Sequence, residues 1–276
     1  MDHSATSKND AKKVFRKLGT CSRTFFYILN REFGHTREME EKAADPLAGG
    51  ILQKGHQCGM LWGSALAVGA EAYRRCTDLD QAIGVAIIAT QHVMASFLDM
   101  ENTFNCRDIT HCDFSSKWSF TKYFFSGRFL YCFKMAEKWA PEAIQSAIDG
   151  LADQNTELPL RSMSCASEVV KRMGASDEEI VMVAGFAGGL GLSANACGAL
   201  SAAIWMNSLS WNKEHTEKSS FFNPSAKKTL NAFIIATDSE MLCHNICKCR
   251  FNTLDDHSEF IKNGGCDKLI TALSKT

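Results

Sequence analysis

The chain has 276 residues, 45% of them hydrophobic and 22% charged, with a formal net charge of −1. That length can bury a real core in one large domain or two smaller ones, and the balanced charge gives no electrostatic case for binding nucleic acid or an anionic membrane surface. Twelve cysteines are conspicuous, yet too few in too long a chain for a secreted disulfide scaffold, and only 4 prolines favour helix.

The opening stretch, MDHSATSKNDAKKVFRKLG, is polar and lysine-rich with no apolar segment, so no secretory signal is expected and a reducing cytoplasm is the default. There, many cysteines suggest metal ligation or thiol chemistry rather than crosslinks. An apolar stripe at i, i+3 and i+4 predicts a helix over 12–33, followed by helices at 58–76, 80–100, 118–140 and 141–152, with Pro141 in the first turn of the last. Helices are then expected at 163–173, 176–188, 196–210, 224–244 and 255–274, with N-terminal signals in Ser176-Asp-Glu-Glu and Asp255-Asp-His-Ser-Glu. The run from Ile180 to Asn212 carries no charge and is long enough to span a bilayer. Its GGLG and Ser-Ala-Asn breaks, and the Lys54 and His56 of the equivalent earlier stretch, argue for buried helices instead.

The sequence repeats itself. LAGGILQKGHQCGMLWGSALAVG is matched by FAGGLGLSANACGALSAAIWMNS, and NCRDITHCDF by LCHNICKCRF, both obeying Cys-x-x-Ile-x-x-Cys-x-Phe. Five cysteines correspond in order: Cys21 with Cys165, Cys58 with Cys197, Cys106 with Cys243, Cys112 with Cys249, and Cys132 with Cys266; Cys76 and Cys247 have no match. The polar stretch IDGLADQNTELPLRS, with Pro159, reads as the linker between copies at 1–152 and 153–276. With strand signals absent, the expected fold is all-α: two tandem cysteine-bearing helical repeat units packed with approximate two-fold symmetry.

Cysteines placed one per element do not suit a zinc knuckle, which uses close C-x2–4-C pairs, and no C-x-x-C exists for a thioredoxin-like site. Single thiolates sent from several helices to one point suit a [2Fe–2S] or [4Fe–4S] iron–sulfur cluster, or tetrahedral zinc. Cys58 and Cys197 each follow a glycine-rich turn and open a helix, where free N–H groups are expected to lower a thiol's pKa, and the glycines to let backbone N–H groups approach sulfur. GFAGGLG (185–191) lacks the βαβ context of a dinucleotide loop. His244 and His257 have no partner in the first copy and are expected in solvated or capping roles, as are His56 and His111. Cys243, Cys247 and Cys249 lie close enough in sequence to form an extra thiol pair.

Cys165-Ala166, GFAGGLGLSANACGAL, Cys243-x-x-Ile and Gly264-Gly265-Cys266 together resemble the C-GCAxxG-C-C family of redox-active proteins, a unit of about half this length with four characteristic cysteines. The second copy matches through Cys165, Cys197-Gly198-Ala199, Cys243 and Cys266; the first through Cys21, Cys58-Gly59, Cys106 and Cys132. The second copy has Ala202 for the last motif glycine, while the first keeps Gly63 but has Met60 for the alanine and Leu130-Tyr131 before Cys132. Split-Soret cytochromes resemble this family in their cysteine-bearing part. The resemblance implies an iron–sulfur cluster held by Cys165, Cys197, Cys243 and Cys266, by Cys21, Cys58, Cys106 and Cys132, or by both sets, serving electron transfer or redox sensing. With no C-x-x-C-H, no c-type haem is expected. The expected partner is a redox protein or a small thiol or electron donor, with homo-oligomerisation compatible. A metal-free thiol–disulfide oxidoreductase and a zinc-clasped helical binding module are the alternatives, and whether the chain is an enzyme stays open.

Overall fold

The computed structural model describes residues 9–114, 116–153, 158 and 161–276. The first copy is α1 (Ala11–Leu18), α2 (Cys21–Glu32), α3 (Glu38–Ala43), a 3₁₀ turn (Asp45–Leu47), α4 (Gly59–Arg75), α5 (Leu79–Glu101), α6 (Cys106–Thr110), α7 (Lys117–Phe125) and α8 (Phe129–Leu151). The second is α9 (Cys165–Arg172), α10 (Asp177–Met182), a 3₁₀ turn (Ala184–Phe186), α11 (Gly198–Glu214), a 3₁₀ turn (Ser220–Phe222), α12 (Pro224–Thr237), α13 (Cys243–Cys247), α14 (Leu254–Lys262) and α15 (Asp267–Leu273). The only β-type pairings among the described residues are two isolated bridges, so the fold is all-α.

Several expected helices are split. The stretch 12–33 breaks at Gly19 (φ 85), which closes α1 with its N–H on the Phe15 carbonyl. Asp238 (φ 52) and Ser239 (φ 67) end α12 well before 244, so Cys243 opens its own short helix. Gly264 (φ 86) and Cys266 (φ 60) divide 255–274. At 118–152 the break falls at Gly127 (φ 69), and Pro141 instead lies inside a continuous α8. A proline cannot bond the carbonyl four residues back; that carbonyl, on Glu137, accepts from the Asn9 side chain. The expected linker begins inside α8, and its centre, with Pro159, lies outside the described residues. Ser176 makes the expected capping box with Glu179, whereas the cap ahead of 255 is Thr253, paired with Asp256.

The copies interlock reciprocally. α4 packs on α2 and α5 of its own copy and on α10 and the Ala184–Phe186 turn of the other; α11 packs on α9 and α12 and crosses to α3 and the Asp45–Leu47 turn. Small residues permit the approach. A Cβ on Gly69 would lie 2.4 Å from the Val181 carbonyl oxygen, and one on Gly185 would lie 2.1 Å from Thr90 Oγ1. Trp62 stacks edge-on against Phe186 at 4.7 Å, and Trp205 donates across the interface to the Glu40 carbonyl at 3.1 Å. Trp62, Trp139 and Trp205 are fully buried, and burying a large apolar side chain stabilises by about 1.5–3 kcal/mol. The uncharged run 180–212 is divided among α10, a 3₁₀ turn, the glycine loop and α11. One helix among the described residues, α5, is long and apolar enough to cross a membrane, and it packs between α4 and α8.

Candidate functional site

Each copy builds its site from one hydrogen-bonded frame. After the 3₁₀ turn the chain passes through a glycine loop at left-handed φ (Gly49, Gly50 and Gly55; Gly188, Gly189 and Gly191). A Cβ on Gly50 would fall 2.4 Å from the His56 nitrogen, so the loop can fold on itself only with glycine there. The loop delivers Gln57 to an isolated bridge with Asn105, and Ala196 to one with Leu242. The Cys58 N–H donates to the Phe104 carbonyl at 2.7 Å and the Cys106 N–H to the His56 carbonyl at 2.7 Å. In the second copy the Cys197 N–H donates to the Met241 carbonyl at 3.0 Å and the Cys243 N–H to the Asn195 carbonyl. The bridge therefore sets the second and third cysteines of each copy side by side.

The first cysteine joins them from another direction. Thr20, just before Cys21, donates to Asp45 Oδ1 at 2.6 Å, and Ser164, just before Cys165, donates to the Ala184 carbonyl at 3.0 Å. Each hydroxyl ties the start of its helix to the 3₁₀ turn. The glycine loop then directs a backbone N–H at the first sulfur, Gly49 to Cys21 and Gly188 to Cys165. Cys21, Cys106, Cys165 and Cys243 are the first residues of their helices; Cys58, Cys197 and Cys266 are N-caps; Cys132 is in the first turn of α8. Every thiol of the two sets thus lies at or within the first turn of a helix, although the N–H groups of Cys58, Cys106, Cys197 and Cys243 are bonded across the frame.

In the first copy Cys21, Cys58, Cys106 and Cys132 line one cavity of about 270 Å³, walled by aromatic residues including Phe15, Phe114, Phe120, Tyr123 and Phe133. In the second, Cys165, Cys197, Cys243 and Cys266 line one void of about 10 Å³, which Cys247, Phe251, Phe260 and His257 fill from the sides. Among the described residues no three Cys, His, Asp or Glu side chains close on one point in single-ion geometry.

The electrostatics differ from the expectation for Cys58 and Cys197. The Cys58 thiol donates to Cys21, which raises Cys58, already disfavoured by burial, and lowers Cys21. Burial also pushes Cys197 well up, overriding its helix-start position. Burial carries Cys165 up to about 12 and Cys132 to about 11, the latter held down in part by the Tyr123 hydroxyl 3.5 Å from its sulfur. Burial is also the first cause of the raised Cys106.

Cys247, unmatched in sequence, lies inside the second site: its sulfur is 3.6 Å from that of Cys243 and 3.7 Å from that of Cys266. Cys112 is buried beside Ser119, and Cys76 stands apart at the end of α4. His257 is neither solvated nor a cap: it is 1% exposed, edge-on to Phe251, its Nδ1 3.0 Å from the Met163 carbonyl, and burial pushes it down to about 4. His244 Nδ1 lies 2.7 Å from the Ala194 carbonyl. Sequence reasoning missed Tyr123 and the aromatic wall, signalled only by the dense aromatics of 118–133, and it missed α3 and the 3₁₀ turn, which carry Asp45.

A family model described as "Putative redox-active protein (C_GCAxxG_C_C)" matches the chain twice, over residues 20–143 and 162–276. No curated protein and no solved structure matches the chain.

Proposed function

Since the chain belongs to the C_GCAxxG_C_C family of redox-active proteins, we propose that it is an electron-transfer or redox-sensing protein whose first cysteine set holds an iron–sulfur cluster. The observation carrying this reading is that Cys21, Cys58, Cys106 and Cys132, from four separate helices, line a single cavity of about 270 Å³. Four thiolates are the usual ligand set of such a cluster. The first copy's residues fit the group in number, donor chemistry and room. The second copy's void of about 10 Å³ has room for about one water, so its thiols would have to move apart to admit a cluster.

When bound, the cluster supplies one-electron chemistry at a potential set by burial and by hydrogen bonds to sulfur. The chain's own part is to hold four thiolates at helix starts, to direct the Gly49 N–H at the Cys21 sulfur, and to exclude water with Phe15, Phe114 and Phe133. Desolvation raises the cost of free thiolates in this pocket, so an occupant that neutralises their charge relieves it. A redox partner protein or a small electron donor would deliver the electron.

A metal-free thiol–disulfide reading draws support from the direct thiol contact of Cys21 with Cys58, which favours one thiolate beside one thiol. Anaerobic purification with iron, zinc and acid-labile sulfide analysis and a visible spectrum separates the readings. Brown protein with iron and sulfide, depleted by Cys58→Ser, is expected. Colourless, iron-free protein would overturn the cluster reading, and zinc in its place would indicate a structural clasp.

A further inference from the structure

Cys247 holds a position that the duplicated frame does not require to be cysteine. At the matching point of the first copy stands Thr110, buried, its hydroxyl donating to the Cys106 carbonyl of its own helix turn at 2.6 Å. In the second copy the thiol at that place touches two others, at 3.6 Å to Cys243 and 3.7 Å to Cys266. Exposure divides the set. Cys165, Cys197 and Cys243 are each 6% exposed, whereas Cys247 and Cys266 are half-buried and both line an open groove of about 1110 Å³ with Lys248 and Lys268 on its sides.

We propose that Cys247 and Cys266 form a reversible disulfide, with Cys247 as the thiol that meets an external small-molecule disulfide such as oxidised glutathione in the groove. The Cys247 sulfur, as thiolate, attacks one sulfur of the external disulfide. The S–S bond breaks, a mixed disulfide forms on Cys247, and the first small thiol leaves with the Cys247 proton. The Cys266 thiolate then attacks the Cys247 sulfur, closing the internal bond and releasing the second small thiol. Two protein thiols lose two electrons and two protons, and one external disulfide gains them. The sulfurs already touch, so the bond closes without bringing distant backbone together.

The consequence is specific to this copy. Cys266 belongs to the matched set of four and Cys247 does not, so the bond withdraws Cys266 from that set while leaving the first copy intact. The inference needs no metal and stands apart from the cluster reading.

The test uses the full-length chain, fully reduced and then exposed to oxidised glutathione, with thiol titration over time and peptide mapping without reduction. A Cys247–Cys266 crosslink is expected in the unaltered protein, and Cys247→Ser should abolish it and slow second-copy thiol loss about tenfold or more. Cys249→Ser, which removes the neighbouring half-buried thiol, should leave both unchanged. A crosslink that omits Cys247, no crosslink at all, or a Cys247→Ser protein that oxidises at the original rate would overturn the proposal. Because the mapping is done first on the unaltered chain, misfolding of a variant cannot rescue it.

Discussion

The two copies share a hydrogen-bond frame, yet one surrounds a cavity of about 270 Å³ and the other a void of about 10 Å³. The difference arises in the elements beyond the third cysteine. In the first copy α7 and the long α8 stand off from the thiols and wall the space with Phe120, Tyr123 and Phe133. In the second, short helices bring Phe251, Phe260 and His257 inward, and Cys247 replaces Thr110. A frame fixed by backbone hydrogen bonds can therefore serve two chemistries, because the side chains that fill or vacate the centre lie outside it.

The sharpest way to break this comparison is at Gly63 and its counterpart Ala202. A Cβ on Gly63 would lie 2.0 Å from the Ser22 carbonyl oxygen, so Gly63→Ala should cost about 3 kcal/mol or more by denaturant unfolding. Ala202→Gly should cost only about 1 kcal/mol, the helix-interior difference; equal costs would show that the two helix pairs are packed alike. Next are the pH slopes, which oppose each other. Burial raises Asp45 to about 6 against an ordinary 3.8, so its contribution is full below pH 3.8 and is lost as pH climbs through 6. Burial lowers His257 to about 4 against 6.5, so its contribution is full above pH 6.5 and is lost as pH falls through 4. Each is worth about 3 kcal/mol. Asp45→Ala, which installs the second copy's Ala184, should leave stability rising with pH across 4 to 6.5, and His257→Phe should leave it falling.

Gln57 offers a smaller effect. Its side chain donates to the Gly189 carbonyl at 2.8 Å and accepts from the Ala196 N–H at 3.2 Å, tying one copy's frame to the other's loop. Gln57→Ala, making it like Ala196, should cost about 1–3 kcal/mol by stranding the Ala196 N–H, while the Gly189 carbonyl keeps the Ser193 hydroxyl at 2.6 Å. Tyr123→Phe should change least: Cys132, already near 11, loses the hydroxyl that holds it down and rises further, and thiol alkylation against pH should show that shift at Cys132 alone.

The cysteine register was readable because cysteine is scarce and its order survives small insertions; the all-α class followed from apolar periodicity. The helix ends were not. Asp238, Lys248 and Cys266 turn the chain at left-handed φ without glycine, and periodicity runs straight through them. The expected acidity of Cys58 and Cys197 did not hold because helix position is a local property, while the Cys21 thiol beside Cys58 and the burial of Cys197 come from partners distant in sequence. Cys247 showed as an unmatched residue near Cys243 in sequence, but its contact with Cys266, 19 residues on, was not legible.

The crossed packing of α4 on α10 and α11 on α3 has the geometry of an isologous dimer interface, written into one polypeptide. In a true homodimer every substitution would be imposed on both halves at once. Here a change such as threonine for cysteine beneath the third thiol touches one half and spares its twin, so covalent linkage relaxes symmetry as a constraint on heredity while retaining it as architecture.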